Sequence, residues 1–163
     1  MKLIETLISQ CTSKDACAKG MRDLKPDLST QELSKLFVKY SDFCFANNIP
    51  TLDLLRGWRG ECEEFGVFVD DEVKGLQNAT DVILNGECKA ALEYDAYSVS
   101  RVWIRHNSKA AVNVSDHANI TIDVMDNSYL VVAVAGNDAQ VYVNKYGDAQ
   151  VECIGSGIIV NNK

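Results

Sequence analysis

VSRVWIRHNSKAAVNVSDHANITIDVMDNSYLVVAVAGNDAQVYVNKYGDAQVECI, residues 99–154, is the stretch that decides the fold. A short apolar strand recurs in it about every ten residues: Val102-Trp103-Ile104, Val112-Asn113-Val114, Ile120-Thr121-Ile122, Val132-Ala133-Val134, Val141-Tyr142-Val143 and Val151-Glu152-Cys153. Small polar knots separate them: Asp116-His117-Ala118, Asp126-Asn127-Ser128, Asn137-Asp138-Ala139 and Gly147-Asp148-Ala149. Brief strands joined by brief corners, repeated this often, predict a β-solenoid. Alternate residues of each strand are apolar, so one side chain in two faces an interior. Val102, Ile104, Val112, Val114, Ile120, Ile122, Val124, Val141, Val143, Val151 and Cys153 form that inward set. A slip by one residue would bury Asn113, Asp123 or Glu152, which pins the register. With two strands per coil, the strand at 102 stacks on those at 122 and 142, and the strand at 112 on those at 133 and 152. A β-sandwich also has short strands and frequent turns, but its hairpin dipeptides are missing from these corners.

Upstream the period changes. Leu3, Ile4, Leu7 and Ile8 predict a helix over residues 2–10. Ser13 is placed to cap a second helix reaching Leu24. Ser29-Thr30-Gln31-Glu32 is a capping box, and Leu33, Leu36, Phe37, Tyr40, Phe43 and Cys44 continue one helical face behind it. Ile49-Pro50 stops that helix. Thr51 is placed to cap another over Leu52 to Arg56, and residues 61–65 add a further turn. Val67-Phe68-Val69 is a strand closed by Asp70-Asp71-Glu72. Strands follow at Asp81 to Leu84 and at Cys88 to Leu92, and Glu93-Tyr94-Asp95 reads as a polar break. The expected class is therefore α+β: a helical N-terminal domain over 1–65, docked on a β-solenoid domain over 66–163.

The net charge of −7, spread along the chain, disfavours nucleic acid and anionic membrane as partners. No apolar run reaches the ~18 residues of a membrane span, and the N-terminus lacks the features of an export signal. The six cysteines, at 11, 17, 44, 62, 88 and 153, contain no C-x-x-C pair. They read as reduced thiols in a cytoplasmic protein, and their spacings match no zinc site. Asp116, Asp126, Asp138 and Asp148 recur at corners, where Asp serves the backbone well by bonding nearby amides. The Gly-rich calcium-binding repeat is absent, and no phosphate loop, nucleophile elbow or zinc-protease motif occurs. No cofactor, metal or catalytic residue is expected.

Two features suggest binding. In Arg101-Val102-Trp103-Ile104-Arg105-His106, inward Val102 and Ile104 turn Arg101, Trp103 and Arg105 to one outer face, which Tyr142 extends. A Trp between two guanidinium groups can stack a ring and pair an anion, as in a glycan or small-molecule site. The simpler reading makes it a packing surface. Tyr129 to Ala135 is apolar on both faces, so an outer cover is expected, from the helices or from another subunit. After Ile158-Ile159-Val160 no capping element is evident, and an open solenoid end invites pairing.

The repeat over 99–160, with small corners such as Gly147-Asp148-Ala149, resembles the short β-solenoids of bacterial and bacteriophage proteins, adhesin-like and tail-associated ones among them. The resemblance implies architecture and a role in interaction, and it carries over no catalytic residue. The solenoid enzymes known as pectin lyases build their grooves from long loops, which these corners lack. The expected function is thus non-enzymatic: a rigid β surface for homo-oligomerisation or for a protein partner. A ligand site at Arg101, Trp103, Arg105 and Tyr142 is the second expectation.

Overall fold

The computed structural model describes residues 3–163, so residue 2 of the expected first helix lies outside the described residues. The chain divides into two compact units, Met1–Val67 and Phe68–Lys163. The first holds five helices: α1 (Leu3–Ser13), α2 (Ala18–Asp23), α3 (Thr30–Lys39), α4 (Ser41–Asn47) and α5 (Leu52–Arg56), then a 3-10 turn at Glu63–Phe65. Ser29 and Glu32 close the capping box on α3, with Glu32 N–H donating to Ser29 Oγ and Ser29 N–H to Glu32 Oε2. Three helical expectations need correction. Ser13 belongs to α1, its hydroxyl donating to Gln10 O, and α2 is capped instead by Cys17, whose sulfur accepts from Gly20 N–H at 3.3 Å. The helix after Ser29 breaks at Tyr40, whose ψ of 28° lies outside the helical range. Thr51 precedes α5 without a side-chain cap bond.

Eleven strands follow: β1 (Val67–Val69), β2 (Glu72–Gln77), β3 (Asp81–Asn85), β4 (Lys89–Tyr94), β5 (Val99–Ile104), β6 (Lys109–Val114), β7 (Asn119–Val124), β8 (Tyr129–Val134), β9 (Gln140–Lys145), β10 (Gln150–Ile154) and β11 (Ile158–Asn162). Odd strands form one sheet in the order β1-β3-β5-β7-β9-β11, and even strands form the other in the order β10-β8-β6-β4-β2. Pairings from β2 onward are parallel. The chain therefore switches sheet at every corner and winds as a β-solenoid of about five turns, which excludes the sandwich. The solenoid reaches back to residue 67, as expected, whereas β2 within it was not expected from sequence. Nor is there a break at Tyr94, which ends β4 with its ring buried.

The coil repeat is twenty residues from β3 to β8, as in Val102↔Ile122 and Val112↔Val132, and shortens to seventeen at both ends, as in Glu72↔Lys89 and Val141↔Ile158. It becomes twenty-one across the corner 135–139, as in Ile122↔Val143, because that corner carries one extra residue. Inward side chains stack from rung to rung about 4.8 Å apart, with Val102, Ile104, Val112, Val114, Ile120, Ile122, Val124, Leu130, Val132, Val141 and Val143 all buried. Corners obey one backbone rule. A left-handed residue recurs at Gly86, Ala96, His106, Asp116, Asp126, Gly136, Gly147 and Gly157. Gly, Asp and Asn tolerate that conformation best; Asp138 and Asp148 follow glycines that adopt it, whereas Asp116 and Asp126 adopt it themselves.

Those aspartates tie successive coils together. Asp116 Oδ2 accepts from Ala96 N–H at 3.0 Å, and Asp126 Oδ2 accepts from His106 N–H at 2.8 Å. His106 Nδ1 in turn accepts from Gly86 N–H at 3.0 Å. His106, Asp116 and Asp126 thus each present a side chain that receives the amide of the equivalent residue one coil earlier, whereas Ala96 and the corner glycines have no such acceptor. The last corner position is small and buried at Cys88, Ser108, Ala118, Ser128, Ala139 and Ala149. Where it is Ser it adds further rungs, Ser108 Oγ donating to Gly86 O and Ser128 Oγ to His106 O.

Candidate functional site

The outer face of the odd-strand sheet holds all four residues expected there. Arg101 and Tyr142 share one column with Asp81 and Thr121, whereas Trp103 belongs to the next, which runs from Ile83 through Trp103 to Asp123 and Asn144. The Arg101 guanidinium lies 4.8 Å from the Trp103 ring centre, and its Nε donates to Asp81 Oδ1 at 3.0 Å. Arg101 and Trp103 thus form a cation–π pair with each other, a contact that the sequence reading did not expect. Tyr142 stands two rungs away and turns its hydroxyl to Gln140 Oε1.

Exposure separates the four. Trp103 is 4% exposed and Arg105 3%, while Arg101 is exposed and Tyr142 half-buried. Arg105 Nη1 donates to Asn85 Oδ1 at 2.8 Å, and Asn85 Nδ2 donates to Phe68 O at 3.1 Å. A buried guanidinium is tolerated only when hydrogen-bonded in this way. Trp103 and Arg105 thus point outward by register yet are buried, which leaves Arg101 and Tyr142 as the accessible members of the four. Beyond Trp103 the column is a polar ladder, Asn144 Nδ2 donating to Asp123 Oδ1 at 2.7 Å.

On the even-strand sheet, Leu130, Val132 and Val134 of β8 fill the core while Tyr129, Val131 and Ala133 face out half-buried. A hydrogen bond to the Glu152 carboxylate holds the Tyr129 phenol above its usual range, because the carboxylate favours the protonated phenol. Ala91 and Ala111 stand beside Val131 in the same row, both exposed.

The last rung differs from every other. β10 and β11 are the edge strands of their sheets. Register places Ile158 and Val160 beneath inward Val141 and Val143, and Val151 and Cys153 beneath Leu130 and Val132. In earlier rungs such positions are buried. Here Val160 is 37% exposed, Cys153 is exposed, and Val151 and Ile158 are half-covered. Neighbouring Ile154 and Ile159 are 59% and 53% exposed. An apolar layer and two rows of backbone hydrogen-bonding groups therefore open at one end of the stack. Sequence reasoning found this end from the apolar pattern, although it took Cys153 for a covered position.

Among the described residues no group of three or more His, Cys, Asp or Glu side chains could hold a metal ion, and no helix is long and apolar enough to cross a membrane. All six cysteines are free thiols, with Cys44, Cys62 and Cys88 buried. Burial raises the Cys88 thiol above its usual range, which keeps it protonated and unreactive. Comparison with protein-family models, with curated proteins and with solved structures returned no match.

Proposed function

We propose that this chain is a non-enzymatic assembly protein whose solenoid self-associates through its open rung, a second copy of the chain continuing one or both sheets. The observation that carries this reading is the exposed inward layer at Val160, Cys153, Ile158 and Val151, bordered by Ile154 and Ile159. Edge strands of parallel sheets template further strands unless charge, proline or a bulge blocks them. β10 has one charge, Glu152, and β11 has none. An isologous end-to-end contact would bury both apolar layers and pair both edges at once. The free thiols favour a reducing, cytoplasmic setting. An origin among bacterial or phage assemblies accords with the architecture alone.

Light scattering behind size exclusion, over a concentration series in reductant, tests the reading. A mass rising from one chain to two or more is expected for the natural protein. Val160→Lys places a charge in the exposed layer and is expected to keep the chain monomeric with unchanged far-ultraviolet dichroism. A strict monomer at the highest concentration sinks the proposal.

A further inference from the structure

A pocket of about 160 Å³, partly open to solvent, lies in the helical unit, lined by Leu7, Leu33, Phe37, Phe43, Ile49 and Trp58 among others. Its lining is almost wholly apolar. Two of its polar side chains are hydrogen-bonded. Tyr40 donates its hydroxyl to Asp23 Oδ2 at 2.6 Å, and the Cys17 sulfur accepts from Gly20 N–H. Trp58 is 1% exposed, and its Nε1–H is buried with no hydrogen-bond partner. The indole is held edge-on to Phe37, ring centres 6.0 Å apart.

Water is a poor occupant, because a buried water needs two to four polar partners and this lining is almost wholly apolar. An apolar cavity of about 150 Å³ accepts benzene, so the volume admits a single six-membered ring. An unused buried N–H is costly and asks for an acceptor. From volume, lining and orphan donor together, we propose that the helical unit binds a small neutral organic molecule. That molecule is a ring or a branched chain of about six carbons, apolar except for one carbonyl or ether oxygen that accepts from Trp58 Nε1–H. The site is separate from the open solenoid rung, so it stands whether or not the chain self-associates.

The test uses the full-length chain, isotopically labelled, titrated with cyclohexanone and in parallel with methylenecyclohexane, its near-isostere without an acceptor. Nuclear magnetic resonance follows the methyl groups of Leu7, Leu33 and Ile49 and the two indole N–H signals, assigned with Trp103→Phe. Saturable methyl shifts with both probes are expected, together with a downfield shift of the Trp58 indole proton with the ketone alone. Ala16→Phe, which fills the cavity from its rim, is expected to weaken both at least tenfold while the remaining amide spectrum is retained. Failure of both probes to give saturable shifts overturns the proposal. Methyl shifts without movement of the Trp58 indole overturn the assignment of an acceptor-bearing ligand. Binding that survives Ala16→Phe at full strength overturns the location.

Discussion

At the scale of single residues, the core is stated by alternation, and its exceptions are polar atoms that alternation cannot see. Tyr94 stands between Glu93 and Asp95, so the triplet reads as a break, yet its ring occupies the inward position that Leu92 and Ala90 predict. Its hydroxyl is buried without a partner. An unsatisfied buried hydroxyl costs more than it contributes, so Tyr94→Phe is expected to raise stability by about 1 kcal/mol, or a melting shift of about 2–4 °C. Burial also pushes the phenol well above its ordinary value near 10, with Asp81 adding to the shift. The unfolded phenol ionises near pH 10 while the folded one stays protonated, so the unfolded state gains stability as pH rises. The natural protein should lose about 1.4 kcal/mol per pH unit above 10 from this group. Urea titrations at pH 9 and 11 should show that part of the loss vanish in Tyr94→Phe. The outward direction of Trp103 was likewise legible from Val102 and Ile104. Its burial was not, because cover over an outer face is a long-range property that no local pattern encodes.

At the scale of the element, the corner explains where Asp116 and Asp126 stand and what they do. Asp126 occupies a left-handed position and accepts the His106 amide one coil away. Asp126→Ala loses that bond and puts Ala in a left-handed position, and is expected to cost about 1–2 kcal/mol. Asp126→Asn keeps an acceptor oxygen and the left-handed tolerance, and should cost less than half as much. Denaturant unfolding of the two variants separates this backbone role from a role for charge, under which Asn and Ala would behave alike. The corners were readable because one backbone conformation restricts the residue types. Elsewhere the signals were weaker. Cys17 caps α2 through sulfur, a weak acceptor outside the usual capping set. The break at Tyr40 leaves the apolar spacing unchanged on either side, so periodicity runs through it. β2 escaped notice because only Val73 and Leu76 are apolar, and a register shift lies between them. The capping box, by contrast, is carried by two residues at fixed separation, and Ser29→Ala is expected to cost about 1 kcal/mol, measurable in the same way.

At the scale of the whole molecule, a solenoid is a one-dimensional stack in which each rung is stabilised by its neighbours. An inner rung has two such neighbours and a terminal rung one. Ile122, fully buried between Val102 and Val143, should cost about 3–4 kcal/mol when cut to Ala, within the range for buried Ile. Val160→Ala removes part of an exposed side chain and should cost under 1 kcal/mol. Amide exchange should follow the same gradient, slowest in β5 to β8 and fastest in β10 and β11, since opening free energy falls where fewer buried contacts close a segment. Twenty-residue spacing made the two-strand coil legible in the sequence. Which rung would be left open was legible only in outline, because exposure of the last layer depends on what lies beyond it. The gradient also separates assembly from mere fraying. If a second copy covers the open rung, raising protein concentration should slow exchange in β10 and β11 and leave β5 to β8 unchanged. Val160→Lys should remove that concentration dependence while the inner rungs keep their protection. Exchange at β11 that stays fast at every concentration would leave the edge uncovered and the self-association reading without its interface.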